Sequence, residues 1–202
     1  MTNEKLPRRI RTQQLKEKII RAAIDLIRVQ GYESVTINDI CKATDIAVGS
    51  FYHLFPSKDR LLSYVLVDVF EKNMEAFQQI GSGDVIEDIC ACYRLYNRFL
   101  MDEGLDFVQN YYTTKNKSLF TMGSEHGRNV SAPIIEKISE LLIRSFEEGM
   151  LQKKPNISEI CGDLATIEKG VIFDWCLCDG SYDLIARADL VIRRYLQGII
   201  VV

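Results

Sequence analysis

The chain is poor in the residues and patterns most often used for chemistry or for membranes. Among its 202 residues only two are histidine, at positions 53 and 126. There is no glycine-rich phosphate loop following a strand, and no Ser-His-Asp or paired-carboxylate arrangement stands out. Glu147-Glu148 and Asp102-Glu103 are adjacent pairs at expected helix ends, where water solvates them. These absences argue against an enzyme, and no cofactor or metal is expected. No run reaches the roughly 18 apolar residues that a membrane-crossing helix requires. The N-terminus is polar and lacks the apolar segment of a secretory signal. The expectation is therefore a cytoplasmic protein, whose six cysteines (41, 90, 92, 161, 176 and 178) stay reduced. Strand-like alternation is missing from the first two-thirds of the chain, and no repeat or low-complexity segment is present.

A surplus of positive charge is also lacking, since the net charge is −3. That argues against a protein that coats nucleic acid. The distribution is uneven, however: residues 1–60 carry 11 Lys and Arg against 7 Asp and Glu, and the remainder carries 14 against 21. A basic front and an acidic back imply that only the front meets an acidic partner. Hydrophobic residues make up 47% of the chain, enough for a sizeable core.

The most informative stretch is 35–58, VTINDICKATDIAVGSFYHLFPSK. Thr36 is suited to an N-cap, with Asp39 three residues on to complement the helix dipole. Ile37, Ile40 and Cys41 then fall on one helical face. Thr44-Asp45-Ile46 breaks that helix, because Asp tolerates a left-handed backbone. A second helix over 47–54 buries Phe51 and Phe55 and leaves Val48, Gly49, Ser50, Tyr52 and His53 available. Pro56 stops it by biasing Phe55 away from the α region, and Ser57 caps the next helix. Two helices joined by a tight turn, with small residues at the front of the second, suit a DNA major groove.

The order Thr36-Ile37-x-x-Ile40, then Gly49-Ser50-Phe51-Tyr52-His53-Leu54-Phe55-Pro56-Ser57-Lys58-Asp59-x-Leu61-Leu62, resembles the N-terminal domain of TetR-family transcriptional regulators. The resemblance covers about residues 14–66. It implies that Thr36 and Lys58, at helix fronts, grip phosphates, and that Tyr52 and His53 contact the DNA backbone. Ala47, Val48, Gly49 and Ser50 would face the groove. Two positions depart from the common family pattern: Val48, where a polar or basic residue is frequent, and Asp45, where glycine is. Ala47 and Val48 offer only apolar contact to bases, and no arginine is placed to read guanine.

Around this motif the expectation is all-α. Residues 1–13 read as a disordered basic arm with Arg8, Arg9 and Arg11, and a first helix over 14–29 carries Leu15, Ile19, Ala22, Ala23, Leu26 and Ile27. A long helix over 58–80 links an N-terminal three-helix DNA-binding domain (1–57) to a larger C-terminal helical domain for ligand binding and dimerisation (58–202). Gly81-Ser82-Gly83 marks a connection inside that second domain. Further helices are expected over 84–103, 105–116, 133–150, 158–179 and 182–198, with a loop over 118–131.

The last two helices carry apolar stripes: Ile160, Leu164, Ile167, Val171, Trp175 and Cys178, then Leu184, Ile185, Ala188, Val191, Ile192, Tyr195 and Leu196. Taken alone they fit a monomer core. The family resemblance implies that these two helices pair with a second copy to form a homodimer, which a palindromic operator on double-stranded DNA also requires. The middle helices are rich in aromatics, including Phe107 and Phe120. By the same resemblance Tyr96, Phe99, Tyr111, Tyr112 and Trp175 line an effector site for a small, largely apolar or aromatic molecule. Cys90 with Cys92, and Cys176 with Cys178, invite a metal or redox reading. Residues two apart on a helix are rotated by roughly 200°, so neither pair faces one ligand. Cross-helix combinations, with His126, stay open.

The function implied is a ligand-responsive DNA-binding regulator, a repressor. The rival readings are a redox- or metal-sensing regulator working through the cysteines, and an effector-free DNA-organising protein.

Overall fold

The computed structural model describes residues 8–61, 64, 73–116, 119, 133–151 and 154–200. Among them there is no β-strand, and the regular elements are α-helices, as the sequence predicts.

Helix α1 runs over Arg8–Gln30. It begins six residues earlier than the sequence reading placed it, so Arg8, Arg9 and Arg11 belong to its exposed first turns and not to a disordered arm. Arginine and glutamine are good helix formers, and the Thr12 hydroxyl donates back to the Arg8 carbonyl at 2.9 Å. Its buried face is Ile19, Ile20, Ala23, Ile24 and Ile27, with Leu15, Ala22 and Leu26 half-buried at its edge. Gly31 ends it at φ +78°, its N–H donating to the Ile27 carbonyl at 2.9 Å.

Helix α2 (Ile37–Thr44) opens with a capping box in which Thr36 and Asp39 exchange hydrogen bonds. Asp45 closes it at φ 54°, ψ 51°. It takes the left-handed conformation that glycine adopts without strain. Helix α3 (Val48–Leu54) follows, with Ala47 as its N-cap. Phe51 and Phe55 are both fully buried, and Phe55 is extended (φ −136°, ψ 113°) ahead of Pro56, as expected. Ser57 caps the next helix, α4, accepting from the Arg60 N–H at 3.0 Å; residues 58–61 and 64 are its described part.

The helix expected over 58–80 does not run unbroken. Asn73 leaves the helical region (φ −107°, ψ 20°) at the N-cap of the short α5 (Met74–Gln78), consistent with the weak helix preference of asparagine. Leu62, Val65, Leu66, Val69 and Phe70, expected on that helix, lie outside the described residues.

The remaining helices are α6 (Val85–Glu103), α7 (Leu105–Tyr111), α8 (Pro133–Glu147), α9 (Ile157–Leu177) and α10 (Leu184–Ile199). Asp84, Asn156 and Asp183 cap α6, α9 and α10 with their side chains. Helix α7 stops at Tyr111 and does not reach 116, and the Asn116 amide donates to the freed Tyr111 carbonyl at 2.9 Å. The loop expected over 118–131, with Phe120 and His126, lies outside the described residues apart from Leu119. No described helix is long and apolar enough to cross a membrane.

Helix α6 packs against α10 and α8, and α1 packs against α2 and α7. The seam between the front and the rest of the chain is polar. The Arg28 guanidinium donates to the Glu103 carbonyl at 3.1 Å and to its carboxylate at 2.5 Å. Arg21 adds a 2.7 Å contact to the same carboxylate, and the Asn110 amide donates to the Arg28 carbonyl at 3.3 Å.

Candidate nucleic-acid interface and effector core

Helix α3 has one side in the core and one in solvent. Phe51 anchors it, edge-on to Tyr52 at 5.7 Å and tilted against Phe55 at 5.8 Å. Ala47, Val48, Gly49, Ser50, Tyr52 and His53 are all exposed. Val48 and Tyr52 are 40% and 52% exposed, which is unusual for large apolar and aromatic groups on so small a helix. A Cβ placed on Gly49 would meet nothing within 4 Å, so no neighbouring protein atom requires glycine there. Thr36 is exposed at the front of α2, its hydroxyl engaged with the Asp39 carboxylate at 2.6 Å.

Lys58 is placed differently from a free phosphate clamp. Its ammonium donates to the Tyr32 and Val35 carbonyls, both at 2.7 Å, and lies 4.1 Å from the centre of the Tyr32 ring. Partial burial lowers its pKa. Two of its three N–H donors thus hold the α1–α2 loop, and one is left for another acceptor. The Tyr32 hydroxyl in turn donates to the Asp59 carboxylate. Burial and that carboxylate hold Tyr32 neutral.

Of the aromatics expected at an effector site, three meet. Tyr96 and Tyr112 hydrogen-bond through their hydroxyls, and Tyr111 stands edge-on to Tyr112 at 5.6 Å while stacking on Phe107 at 5.2 Å. All four are buried. Burial pushes the Tyr96 and Tyr112 hydroxyls well above their ordinary pKa. Phe99 is half-buried against the core. Trp175 is buried at the α9–α10 turn, its Nε1 donating to the Tyr182 carbonyl at 2.9 Å, with Gly180 against its ring.

The sequence singles out Tyr93 only as one of the middle-helix aromatics and gives no sign of two further polar residues in the same core, Glu168 and Asn97. Glu168 on α9 is 3% exposed, and Asn97 and Tyr93 on α6 are 0% and 3% exposed. Among the described residues, neither Glu168 carboxylate oxygen, neither Asn97 amide atom, nor the Tyr93 hydroxyl has a hydrogen-bond partner. Burial raises the Glu168 carboxyl to about 8; Asn97 lies close enough to ease that rise but does not reach hydrogen-bond geometry. A glutamate inside a helical repeat gives no sign of this in the sequence.

The stripes on the last two helices are the protomer's own core: Ile160, Leu164, Val171 and Trp175 on α9, and Leu184, Ala188, Ile192 and Leu196 on α10, are buried within one chain. Ile167, Ile185, Val191 and Tyr195 are half-buried, and Cys178 is exposed. The large apolar groups these helices expose are others: Phe173 (49%), Leu177 (69%), Leu190 (41%) and Ile199 (43%).

Five of the six cysteines offer little as a sensor, and the sixth, Cys178, is exposed. Cys90 and Cys92 are fully buried, and burial pushes each thiol up to about 12. Cys176 rises to about 11, and Cys41 and Cys161 also rise. Such thiols are poor nucleophiles and poor metal ligands at neutral pH. Among the described residues no three His, Cys, Asp or Glu gather as a metal site.

Comparison with known proteins agrees with the geometry. A model of the bacterial regulatory proteins of the tetR family matches residues 19–65, the segment holding α2, α3 and the start of α4. The chain is 24% identical over 140 residues to the biofilm operon icaADBC HTH-type negative transcriptional regulator IcaR of Staphylococcus aureus, covering 68% of this chain and 73% of that protein. Among solved structures it is similar to Thermus thermophilus FadR, a TetR-family repressor in complex with lauroyl-CoA (TM-score 0.61, 22% identity, 93% of this chain and 96% of that one). It is also similar to RolR in complex with resorcinol (TM-score 0.63, 18% identity, 96% and 91%). Residues 19–65 are a DNA-binding segment of the tetR family of bacterial regulatory proteins, and the all-helical fold of the whole chain is that of the solved TetR-family regulators.

Proposed function

We propose that the protein is a homodimeric repressor that leaves a palindromic operator when a small, largely apolar or aromatic effector binds among α6, α7 and α9. The observation that carries the DNA half is α3 itself: one face locked by Phe51, the other presenting Ala47, Val48, Gly49, Ser50, Tyr52 and His53 to solvent. Residues 1–57 then serve as the DNA-binding domain and 58–202 as the effector and dimerisation domain. Arg8, Arg9 and Arg11, exposed on the first turns of α1, add phosphate contacts in this reading. Thr36 offers its helix N-terminus, and Lys58 its remaining N–H, to phosphates.

The effector half is supported by the Tyr96–Tyr111–Tyr112 cluster, and Phe99 and Trp175 complete the proposed lining. FadR and RolR were each solved with a bound small molecule, an acyl-CoA in one and a phenol in the other. A route from this cluster to DNA is at hand. Tyr111 is close enough to Tyr32 to act on its charge state, and Tyr32 carries Lys58 and Asp59. Movement of α7 against α1 would shift those groups, and an effector works this way only by binding the two arrangements unequally.

The test is binding of single variants to an operator selected from random duplexes. Tyr52→Ala weakens every sequence by about 3- to 10-fold, the size of one lost hydrogen bond. Lys58→Ala does the same, lowers the salt slope by about one, and also lowers the melting temperature because the α1–α2 loop loses its pin. Val48→Ala instead changes preference among sequences. Equal loss at every site for all three would refute this division of labour.

A further inference from the structure

We infer that Glu168, Asn97 and Tyr93 form the polar head of the effector site, and that the effector is an organic cation, an ammonium or amidinium carried on an apolar or aromatic body. The inference rests on the effector-responsive reading above and names the ligand's class. Polar groups in a protein interior are almost always hydrogen-bonded. Here five side-chain atoms on three neighbouring residues are not, and all three residues are at least nine-tenths buried. Glu168 is near enough to Tyr93, Tyr96 and Tyr112 to act on each of them, so the carboxyl and the tyrosine cluster form one site.

The chemistry of the set selects the ligand. An ionised carboxylate only accepts, and the Asn97 Oδ1 and the Tyr93 oxygen accept as well. Among the described residues no lysine or arginine pairs with Glu168. The Tyr96, Tyr111 and Tyr112 cluster lies beside this set, and aromatic rings attract a cation to their faces. A metal ion fits poorly, since no group of three ligating side chains exists among the described residues. An organic cation supplies what the site lacks, a positive charge for the carboxylate, and one that carries N–H groups adds donors for the acceptors, while the Asn97 amide and the Tyr93 hydroxyl remain as donors of the site itself.

The pH behaviour follows. The groups acting on Glu168 from α6 are Tyr93, Tyr96 and Asn97, and from the end of α7 Tyr112; the tyrosines stay neutral. Helices α8 and α10 turn Ile138, Leu141, Leu142, Ala188, Ile192 and Leu196 inward, with Ser145 as the buried polar group of α8. Lys137 of α8 pairs with Glu140 at 3.3 Å. With the carboxyl raised to about 8 by burial, a permanent cation must displace its proton at lower pH. Its affinity should therefore climb by up to roughly tenfold per pH unit from pH 6 and level off above 8.

The experiment is equilibrium dialysis of the full-length protein against three probes of similar size: phenyltrimethylammonium, its uncharged isostere tert-butylbenzene, and acetophenone as a neutral acceptor. Phenyltrimethylammonium is expected to bind at least tenfold tighter than either neutral probe, and Glu168→Gln to remove that advantage while leaving tert-butylbenzene unchanged. Should the variant fail to fold, the pH dependence of cation binding to the wild-type protein decides alone. Cation affinity that is flat between pH 6 and 8, or unaffected by Glu168→Gln in a folded variant, overturns the inference. Tight binding of a neutral probe without the cation overturns it too but leaves the effector pocket standing. Binding of none of the three at millimolar concentration overturns both.

Discussion

Replacing Phe173 and Leu177 together by glutamate is expected to give a folded monomer that no longer holds a palindromic operator. Both side chains sit on one face of α9, four residues apart, at 49% and 69% exposure, while the stripe behind them is buried in the protomer. Covering a phenylalanine and a leucine contributes about 1.5–3 kcal/mol each, and a two-fold interface counts each residue twice. The loss is therefore on the order of 6 kcal/mol before any repulsion between the new carboxylates. Operator affinity should fall at least about 100-fold, because each recognition helix then binds without the effective concentration its partner supplies. Sedimentation or native mass spectrometry reads the oligomeric state, and circular dichroism shows whether the helices persist. A double variant that stays dimeric would move the interface elsewhere on the chain.

The second large effect is on stability. Glu168→Gln should melt above the wild-type protein, by a margin that widens with pH. The native carboxyl ionises near pH 8, against about 4.5 for an unburied one. Between those values the folded protein holds a proton that the unfolded chain releases, so stability falls as pH rises. The favourable contribution of the neutral acid is complete below about pH 4.5 and is lost as pH passes through 8. Glutamine stays neutral throughout and escapes the loss. The difference between the two proteins should grow by on the order of 3 kcal/mol between pH 5 and pH 8.5, which is about 6–12 °C in melting temperature for a chain of this size. It should flatten above pH 9. A margin that is constant across that range would mean that Glu168 is already ionised and solvated in the native protein.

Local signals made the DNA-binding part readable. Thr36, Asp45, Pro56 and Ser57 each impose a backbone state on their neighbours, and the structure has each doing so. The misreadings came where the deciding forces are not local. Arg8 to Gln14 show no apolar stripe, yet favourable helix formers extend α1 through them. The apolar spacing of 58–80 continues across Asn73, where the backbone turns aside. On α9 and α10 periodicity identifies apolar faces but cannot say whether a face meets its own chain or a copy. Most of the regular stripes proved to be core, and the scattered Phe173, Leu177, Leu190 and Ile199 are the large exposed groups. Glu168 and Asn97 were least legible of all, since a glutamate or asparagine in a helix ordinarily faces water and only the packing of α6 and α9 reveals that these do not.

The central claim is that α3 reads a specific two-fold DNA sequence. Its most direct test is selection of random duplexes by the purified full-length protein. Enrichment of one inverted repeat is expected, its half-sites centred about one helical turn or a multiple apart, with a changed preferred sequence when Val48 is replaced by alanine. Retention of duplexes without any common sequence, or the same repeat selected unchanged by Val48→Ala, would contradict it.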